Sequence, residues 1–397
     1  MDSKVKVGIV GIGGYGRVLL DTLFEKQMRD VARVDVAVVR SPKRSAEHLA
    51  VLRKHSPNVK IFQTLEEAVS SGVELDLMIL PVGIGAHRDM TEQALAAGWN
   101  VMVEKPLAGS EVEAEAIVRA SEQTDHFVAV GFQDMYGPAA LEMKDAVLSG
   151  VIGEICLVRL LGIWGRSVDY FNRNAWAGRL EYDGQPIYDS PFNNAFAHYL
   201  NLALFLAGPD RESAALPVAV DGTMWRAHDI ESCDTANLFW QTESGPEVSV
   251  FLSHAASFNV QPRLVVKGTR GSLTWKFQSH WEVCAEGMEP VRRTVPTAME
   301  LRRMMIRQLV QKVRDPGVFV CTPRQALAQV KAVALAHEQV DIREIPEALI
   351  HRCMAENEFE QVSEMLDVDG LEQAGLRFLQ GEAVSLFSDA KALELIA

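Results

Sequence analysis

Val5-Lys6-Val7-Gly8-Ile9-Val10 leads directly into Gly11-Ile12-Gly13-Gly14-Tyr15-Gly16, and this stretch decides the fold. The first six residues form an apolar run of strand length. Beyond the glycines, apolar residues from Val18 to Phe24 recur at helical spacing. The stretch therefore predicts a strand, a glycine-rich turn and a helix.

Three glycines of this turn are spaced as G-x-G-x-x-G, and each has a physical task. Gly11 permits the tight turn, Gly13 lets a pyrophosphate approach the backbone, and Gly16 lets the helix pack closely on the strand. Phosphates bind well at a helix N-terminus, where free N–H groups and the dipole favour anions. A glycine turn without a ligand is the alternative that the motif alone leaves open. The predicted dinucleotide contacts are Gly11, Ile12, Gly13, Gly14, Tyr15 and Gly16.

The residues that follow alternate between apolar strands and helical stretches. Helix starts are marked by Ser41-Pro42, by Thr64 with Glu67, and by Ser110 with Glu113. This alternation predicts an α/β fold that begins with a Rossmann domain, a doubly wound parallel sheet. Strands are expected near residues 34–39, 59–62, 75–80, 100–103 and 127–131.

Composition limits the classes of protein and of partner. The chain has 397 residues and a formal charge of −14, which suits two domains and disfavours binding to nucleic acid. No apolar stretch is long enough to span a bilayer, and the first strand begins too early for a secretory signal. We therefore expect a cytoplasmic protein that binds neither nucleic acid nor membrane.

The five cysteines are scattered and never form a Cys-x-x-Cys pair. Their number and spacing argue against a disulfide framework and against a structural zinc site. We predict no bound metal.

The residues after the second strand bear on the choice between NAD and NADP. An acidic residue at the end of that strand would bind the adenosine ribose and select NAD. Asp35 has the right spacing but lies too early in the strand, whereas Arg40, Ser41, Lys43 and Arg44 follow it. Because an arginine here accommodates a 2′-phosphate, we expect NADP in preference to NAD. The alternative is that Lys43 and Arg44 only face solvent.

After the fifth strand comes Glu104-Lys105-Pro106, and here the sequence resembles the glucose–fructose oxidoreductase / inositol dehydrogenase / rhizopine catabolism (Gfo/Idh/MocA) family. The resemblance covers about residues 5–345. Further motifs that carry it are the glycine turn, residues 149–155, Gly268-Thr269-Arg270-Gly271 and Thr322-Pro323. It implies a Rossmann domain followed by an α/β domain with a mostly antiparallel open sheet. It also implies NAD(P)-linked oxidation or reduction of sugars, polyols or related carbonyl compounds.

The resemblance assigns Lys105 a part in catalysis and in binding substrate and cofactor. Ligands of open α/β sheets bind beyond the carboxyl ends of strands, where Lys105 and Glu104 are expected to lie. The family usually has Asn-x-x-His after the fourth strand. The matching segment here runs from Pro81 to His87, is two residues longer and lacks the asparagine. Pro81, His87 and Glu104 are predicted near the cofactor.

The family's second site is an Asp-x-x-x-His pair on one helix face. Here His198 matches the histidine, and Asn194 stands where the family usually has aspartate. Asparagine orients a partner but cannot take a proton. Either Asp189 supplies the missing carboxylate or it is an ordinary helix-start residue. His198 is the preferred general acid/base, with Asn194 and Asp189 as supporting candidates.

Residues 165–187 mix aromatic rings with hydrogen-bond donors, which suits sugar recognition and is also common in a long surface loop. These residues are Arg166, Tyr170, Asn172, Arg173, Asn174, Trp176 and Arg179. Only Trp176 and the nearby Tyr188 are assigned to the substrate.

The predicted domains are a Rossmann domain at 1–134, braced by a helix at about 323–342, a substrate and oligomerisation domain at 135–345, and an acidic helical tail at 346–397. In the tail, Leu366, Leu371, Leu376 and Phe378 are candidates for burial. The resemblance implies a homodimer or homotetramer, because family members often pair their second sheets face to face.

The leading hypothesis is hydride transfer between nicotinamide and a CH–OH group, with Lys105 and His198 managing the hydroxyl proton. One alternative is a glycosidase that uses a tightly held NAD(H) in a redox cycle. Another is a catalytically silent, nucleotide-binding regulatory protein.

Overall fold

A computed structural model describes residues 4–356, 361–382 and 384. The chain forms two compact units. The first runs to Glu142 and adds Arg211–Ala214 and Pro296–Lys331. The second comprises Met143–Asp210, Ala215–Val295 and the residues from Ala332 onward. In the described ranges, no helix is long and apolar enough to cross a membrane.

In chain order, the helices are α1 (Gly14–Leu23), α2 (Lys26–Arg29), α3 (Ala46–His55), α4 (Leu65–Ser70), α5 (His87–Ala96), α6 (Glu111–Glu122), α7 (Pro138–Leu148), α8 (Val168–Asn172), α9 (Ala197–Ala207), α10 (Ala298–Lys312), α11 (Pro323–Gln339) and α12 (Leu371–Gln380). Thr64, Ser110 and Thr297 cap α4, α6 and α10 by accepting from the N–H three residues on. The capping patterns in the sequence predict the first two of these caps.

The first unit is built on a sheet of six parallel strands in the order β3-β2-β1-β4-β5-β6. The strands are β1 (Val5–Val10), β2 (Ala32–Val38), β3 (Lys60–Phe62), β4 (Leu77–Leu80), β5 (Asn100–Val103) and β6 (Val128–Val130). β4, β5 and β6 are almost wholly buried, as expected for a sheet with helices on both faces. This confirms the predicted Rossmann sheet.

The second unit contains a nine-stranded sheet in the order β16-β15-β14-β13-β7-β12-β11-β10-β17. Its strands are β7 (Ile155–Trp164), β10 (Pro217–Arg226), β11 (Thr235–Thr242), β12 (Glu247–Ser253), β13 (Asn259–Gly268), β14 (Gly271–Lys276), β15 (His280–Ala285), β16 (Val291–Thr294) and β17 (Ile342–Glu344). Neighbours are antiparallel except for β7 with β12 and β10 with β17. The predicted mostly antiparallel sheet is therefore confirmed. A small hairpin, β8 (Glu181–Tyr182) and β9 (Gln185–Pro186), lies outside it.

One face of the second sheet is covered by α9, whose residues are nearly all buried. Just before the helix, Phe196 packs against Gly162 of β7, where an added Cβ would lie 2.5 Å from its ring. Lys144 stabilises the end of α9, because its buried ammonium donates to the carbonyls of Phe205 and Gly208, both at 2.6 Å. Burial lowers the pKa of Lys144 to about 8.

The opposite face is covered by residues that follow β17. β18 (Ile350–Glu356) and β19 (Val362–Val368) form an antiparallel hairpin, and α12 comes after it. Their apolar side chains pack on β7 and β12 in what we call the tail-face cluster, which includes Leu161, Ile163, Phe251, Val368, Leu371 and Phe378. At Gly375, an added Cβ would lie 2.7 Å from Leu161, so α12 lies directly on β7.

The prediction of a helical tail is wrong for the hairpin. In β19, Ser363, Met365 and Leu366 are buried and the strand pairs with β18. Leu366, Leu371 and Phe378 are buried as predicted, whereas Leu376 is 48% exposed. Residues 357–360, 383 and 385–397 of the predicted tail lie outside the described residues.

The division into three domains stays a prediction. Two helices, α10 and α11, concern the predicted bracing of the Rossmann domain. α10 and the start of α11 belong to the first unit. There α11 pairs with α6, since Lys331 Nζ lies 2.7 Å from Glu111 Oε1 and Arg324 pairs with Glu122. These pairs support the predicted bracing helix.

We expect Phe378→Ala to destabilise the second unit by about 3 kcal/mol, because it opens a cavity in the tail-face cluster. Phe378 is 2% exposed and contacts the Phe251 ring at a centroid distance of 6.0 Å. Denaturant unfolding measures the loss. Leu376→Ala on the same helix is the matched control and should cost less than about 0.5 kcal/mol. Equal losses in the two variants would contradict this account of the tail.

Candidate functional site

The glycine turn joins β1 to α1, and two of its positions favour glycine for different reasons. Gly11 has a φ of +85°, which favours glycine. A Cβ at Gly16 would lie 2.3 Å from the carbonyl oxygen of Gly11. The tight turn and the close packing predicted for these two glycines are therefore present.

The N-terminus of α1 has the features of an anion site. Its N-cap is Gly13, so no side chain caps the first N–H groups, and the first turn has no acidic residue. Those N–H groups and the positive end of the helix dipole face the region beyond β1. The strand order reverses between β1 and β4, and nucleotides bind at such a point in open α/β sheets. The residues present therefore fit a dinucleotide pyrophosphate.

The basic residues predicted for the 2′-phosphate follow the end of β2. Arg40 and Arg44 are exposed, and Ser41 is half-buried. Asp35 lies within β2 and pairs with Arg33 at 2.9 Å. The predicted helix start at Ser41-Pro42 is wrong, because a turn closed by Ser45 N–H donating to Ser41 O comes first and α3 begins only at Ala46.

Pro81 and His87 were both predicted to contact the cofactor. Pro81 follows β4, and its Cγ would lie 3.2 Å from a Cβ at Gly16, so it borders the glycine turn. His87 is 1% exposed. Its ring nitrogens lie 3.0–3.2 Å from the carbonyl oxygens of Val82, Pro106 and Leu107. Burial lowers the pKa of His87, and its contacts indicate that it ties two loops together.

Glu104 and Lys105 lie directly after β5, as predicted. Glu104 Oε2 accepts from the Lys105 backbone N–H at 3.2 Å, and the Glu104 side chain packs against Gly131, where a Cβ would be 2.9 Å away. Burial raises the pKa of Glu104, while the nearby charges of Lys105 and Arg302 oppose the shift. Lys105 is half-buried beside this carboxyl and begins a cis peptide bond with Pro106.

The sequence analysis missed two groups of the first unit near this point. Asp134 follows β6, and burial raises its pKa to about 7. Arg302 of α10 donates from Nε to the Tyr15 hydroxyl at 3.3 Å. Burial, with the charge of Glu104 as a second cause, raises the pKa of Tyr15 to about 12. Asp134 could have been found from its position after a parallel strand, but no local signal points to Arg302.

The second unit brings Asp189 and Asn194 together. Asn194 Nδ2 donates to Asp189 Oδ1 at 2.8 Å and to the Tyr170 hydroxyl at 3.3 Å. Asp189 Oδ2 accepts from the Gly178 N–H at 2.7 Å and lies 3.7 Å from Arg173 Nη2. A carboxylate, that of Asp189, therefore lies next to Asn194, and its role as the carboxylate missing from position 194 stays a prediction.

Aromatic and cationic side chains stack beside this pair. The Arg173 guanidinium lies 3.6 Å from the Tyr170 ring centre and 5.0 Å from that of Trp176. Arg166 lies 4.8 Å from the same tyrosine ring. We call Tyr170, Arg173, Trp176, Asp189 and Asn194 the polar cluster. It offers an aromatic surface, donors and one carboxylate within one unit, which is what sugar recognition needs.

The expectation that His198 and Asn194 share one helix face is wrong, because only His198 lies in α9. Phe196 N–H donates to Pro191 O, so residues 190–196 form turns and α9 begins only at Ala197. His198 is half-buried at the start of this helix.

Tyr188, which was predicted to contact the substrate, stacks on His337 of α11 with ring centres 4.5 Å apart. Burial lowers the pKa of His337 to about 4.

Asn194→Asp should destabilise the second unit by about 1–3 kcal/mol, because it removes a buried hydrogen bond and brings two carboxylates together. Adding Asp189→Asn to that variant should restore most of the loss, since the donor and the carboxylate then exchange positions. Thermal unfolding of the two single variants and the double variant measures this coupling. Additive losses would show that the two side chains do not interact.

Comparison with known proteins gives matches over both units. The family model described as "Oxidoreductase family, NAD-binding Rossmann fold" matches residues 5–132, and the "GFO/IDH/MocA C-terminal domain" matches residues 140–274. The inositol 2-dehydrogenase of Rhizobium meliloti (strain 1021) is 24% identical over 235 residues, which make up 58% of this chain and 63% of that protein. The chain thus matches less than two thirds of that relative's length.

Two solved structures are similar in fold. The WlbA dehydrogenase from Bordetella pertussis, in complex with NADH and UDP-GlcNAcA, has a TM-score of 0.66 at 20% identity, covering 85% of this chain and 96% of that one. Levoglucosan dehydrogenase in complex with NADH has a TM-score of 0.69 at 16% identity, covering 85% and 96%. With both family domains matched over more than half of its length, the chain belongs to the Gfo/Idh/MocA oxidoreductase family and carries that family's NAD-binding Rossmann domain.

Proposed function

We propose that the protein is an NAD(P)-dependent dehydrogenase or reductase that acts on a CH–OH group of a sugar, a polyol or a related hydroxy or carbonyl compound. The observation that carries this proposal is the uncapped N-terminus of α1 behind the glycine turn. This helix N-terminus lies where the strand order of the sheet reverses, between β1 and β4. The domain that contains the sheet matches a family of NAD-binding oxidoreductases.

A bound nicotinamide would supply the hydride acceptor or donor. The chain's own residues would hold the nucleotide and manage the hydroxyl proton. In the proposal, Lys105 donates a hydrogen bond to the substrate oxygen, and His198 accepts or returns the proton, as a histidine does near neutral pH. Asp189 and Asn194, which are hydrogen-bonded to each other, support the site by orienting the substrate.

A polyhydroxylated ring is the substrate class that the polar cluster supports best. The rings of Tyr170 and Trp176 offer apolar surface, and the Arg173 guanidinium that contacts both rings offers donors. The names of the relatives point the same way, because they concern inositol, levoglucosan and a nucleotide sugar. The substrate itself and the direction of reaction are left to a screen.

NADP is proposed in preference to NAD. Support comes from exposed Arg40 and Arg44 after β2, and from His48 of α3, whose ring lies 3.4 Å from where a Cβ of Gly13 would be. The two similar structures contain NADH, which favours NAD instead. We also propose a homodimer or homotetramer, and the tail-face cluster restricts how it forms, because the covered part of the second sheet is not available for pairing.

A fluorescence titration of nucleotide-stripped protein with NADPH and NADH tests the cofactor. Arg40→Ala and Arg44→Ala should weaken NADPH binding by about tenfold and leave NADH binding unchanged, because they remove charge-assisted bonds to a 2′-phosphate. Arg53→Ala, which alters an exposed arginine on α3, is the control. Equal affinity of the unaltered protein for both nucleotides would refute the NADP preference, and no binding of either would refute the proposed function.

Lys105→Ala and His198→Ala should each lower turnover by about 100-fold or more while nucleotide binding survives, because general acid/base groups contribute at least that much. A screen of sugars and polyols, followed by steady-state kinetics, measures this. His351→Ala, which alters an exposed histidine of β18, is the matched control and should keep its turnover. Unchanged turnover in both Lys105→Ala and His198→Ala would refute the catalytic roles assigned to these residues.

A further inference from the structure

A large cavity of about 850 Å³ lies in the second unit, and its lining does not include the polar cluster. Its lining comes from three parts of the chain. They are eight residues between Val168 and Arg179 that do not include Tyr170, Arg173 or Trp176, the turn from Arg226 to Glu231 after β10, and seven residues in or near the β18–β19 hairpin: Glu344, Ile345, Glu347, Ile350, Arg352, Glu364 and Leu366. Its volume is typical of small-molecule sites. One of its walls is therefore the hairpin, for which the sequence pattern predicts a helix.

The inner wall is held rigidly by a buried His228–Asp234 pair. His228 Nδ1 lies 2.8 Å from Asp234 Oδ2, and the same oxygen accepts from the backbone N–H groups of Ala227 and His228 at 2.8 Å. His228 Nε2 lies 3.2 Å from the carbonyl oxygen of Arg166. Since both ring nitrogens have partners, the turn keeps its shape without a ligand, which lowers the entropy lost on binding.

An aromatic ring connects this turn to the opposite wall. Phe171 of α8 packs on the His228 ring with centres 4.6 Å apart and planes at 48°. Apolar side chains of Ile345, Ile350 and Leu366 also contribute to the lining. The cavity therefore combines an aromatic ring and aliphatic surface with the polar groups of its rim.

The rim carries guanidinium groups that are each paired with a carboxylate. Arg179 pairs with Glu231 at 3.2 Å and Arg226 with Glu344 at 3.0 Å. Arg352 of β18 pairs with Glu347 at 3.2 Å and with Glu364 of β19 at 3.3 Å. Five carboxylates and three guanidinium groups line the cavity, so an anionic ligand would meet an excess of negative charge.

We propose that this cavity is a second binding site, for a neutral polyhydroxylated ligand such as a sugar or polyol. Adjacent guanidinium and carboxylate groups match the donor and acceptor sides of hydroxyl groups, and the aromatic ring and aliphatic side chains match the apolar face of a sugar ring. Each guanidinium group already has a carboxylate partner and the remaining charge is negative, which disfavours an anion and suits an uncharged ligand.

The proposed site is separate from the one under Proposed function. Gly178 belongs to the cavity lining, while its N–H donates to Asp189 of the polar cluster at 2.7 Å. A single chain segment, residues 168–179, thus borders both. The second site does not depend on nucleotide binding or on turnover.

The test is calorimetric titration of the nucleotide-stripped full chain with D-glucose, myo-inositol and sucrose. We expect saturable binding of at least one of these probes. Arg352→Gln and Glu364→Gln should each weaken the binding of that probe by about tenfold, because each removes a charged group that hydrogen-bonds the ligand at the rim. The same binding should persist in His198→Ala, which distinguishes it from binding at the polar cluster.

Arg377→Gln and Glu372→Gln are matched controls, since both alter exposed charged residues of α12 outside the cavity lining, and affinity should stay within about twofold. Absence of saturable binding by all three probes would overturn the proposal. Loss of binding in His198→Ala, with Arg352→Gln and Glu364→Gln unaffected, would overturn it too. Tighter binding of glucose 6-phosphate than of glucose would overturn the ligand class. None of these outcomes bears on the NADPH titration, so failures of the two proposals are distinguishable.

Discussion

The close approach of Gly16 to the carbonyl oxygen of Gly11 is the constraint on which the first unit depends. Any side chain at Gly16 would meet that oxygen at 2.3 Å, so α1 packs against β1 only with glycine there. The same contact brings the start of α1 against Pro81 at the end of β4, where the strand order reverses. The uncapped helix N-terminus and the carboxyl ends of the central strands therefore meet at one point, and the other candidate groups of the first unit are arranged around it.

Much of this unit was predictable because its signals are local. Buried parallel strands are short apolar runs, and Thr64 and Ser110 mark helix starts by capping chemistry. The tail was not predictable in the same way. β18 exposes five of its seven residues and is a strand because β19 pairs with it, and α12 is held by packing on β7. Both stabilising partners are distant in sequence or come later in the chain, so a periodic pattern within the segment does not reveal them.

In the candidate site, too, residues with a local signal were predicted, and a contact between residues distant in sequence was missed. Glu104 and Lys105 became candidates because a motif and the end of a strand coincide. Asp189 and Asn194 became candidates because the sequence departs from the family motif there. Arg302 was missed because it reaches Tyr15 from a helix almost 300 residues further along the chain. His87 was assigned to the cofactor by comparison with the family's Asn-x-x-His motif, which does not give side-chain contacts. Its ring nitrogens lie near backbone carbonyl oxygens, and its contact with the cofactor stays a prediction.

The pairing of Asp189 with Asn194 explains why asparagine is compatible with a site that usually has aspartate at this position. Asp189 is 6% exposed, accepts from Asn194 and from the Gly178 N–H, and lies 3.7 Å from Arg173 Nη2. A second carboxylate at position 194 would replace the amide that donates to Asp189, and two carboxylates in contact do not both ionise easily. The negative charge of the pair is therefore carried by Asp189 alone, five positions before Asn194. An aspartate in place of Asn194 would add a second charge and would leave the Asp189 carboxylate without the amide that donates to it.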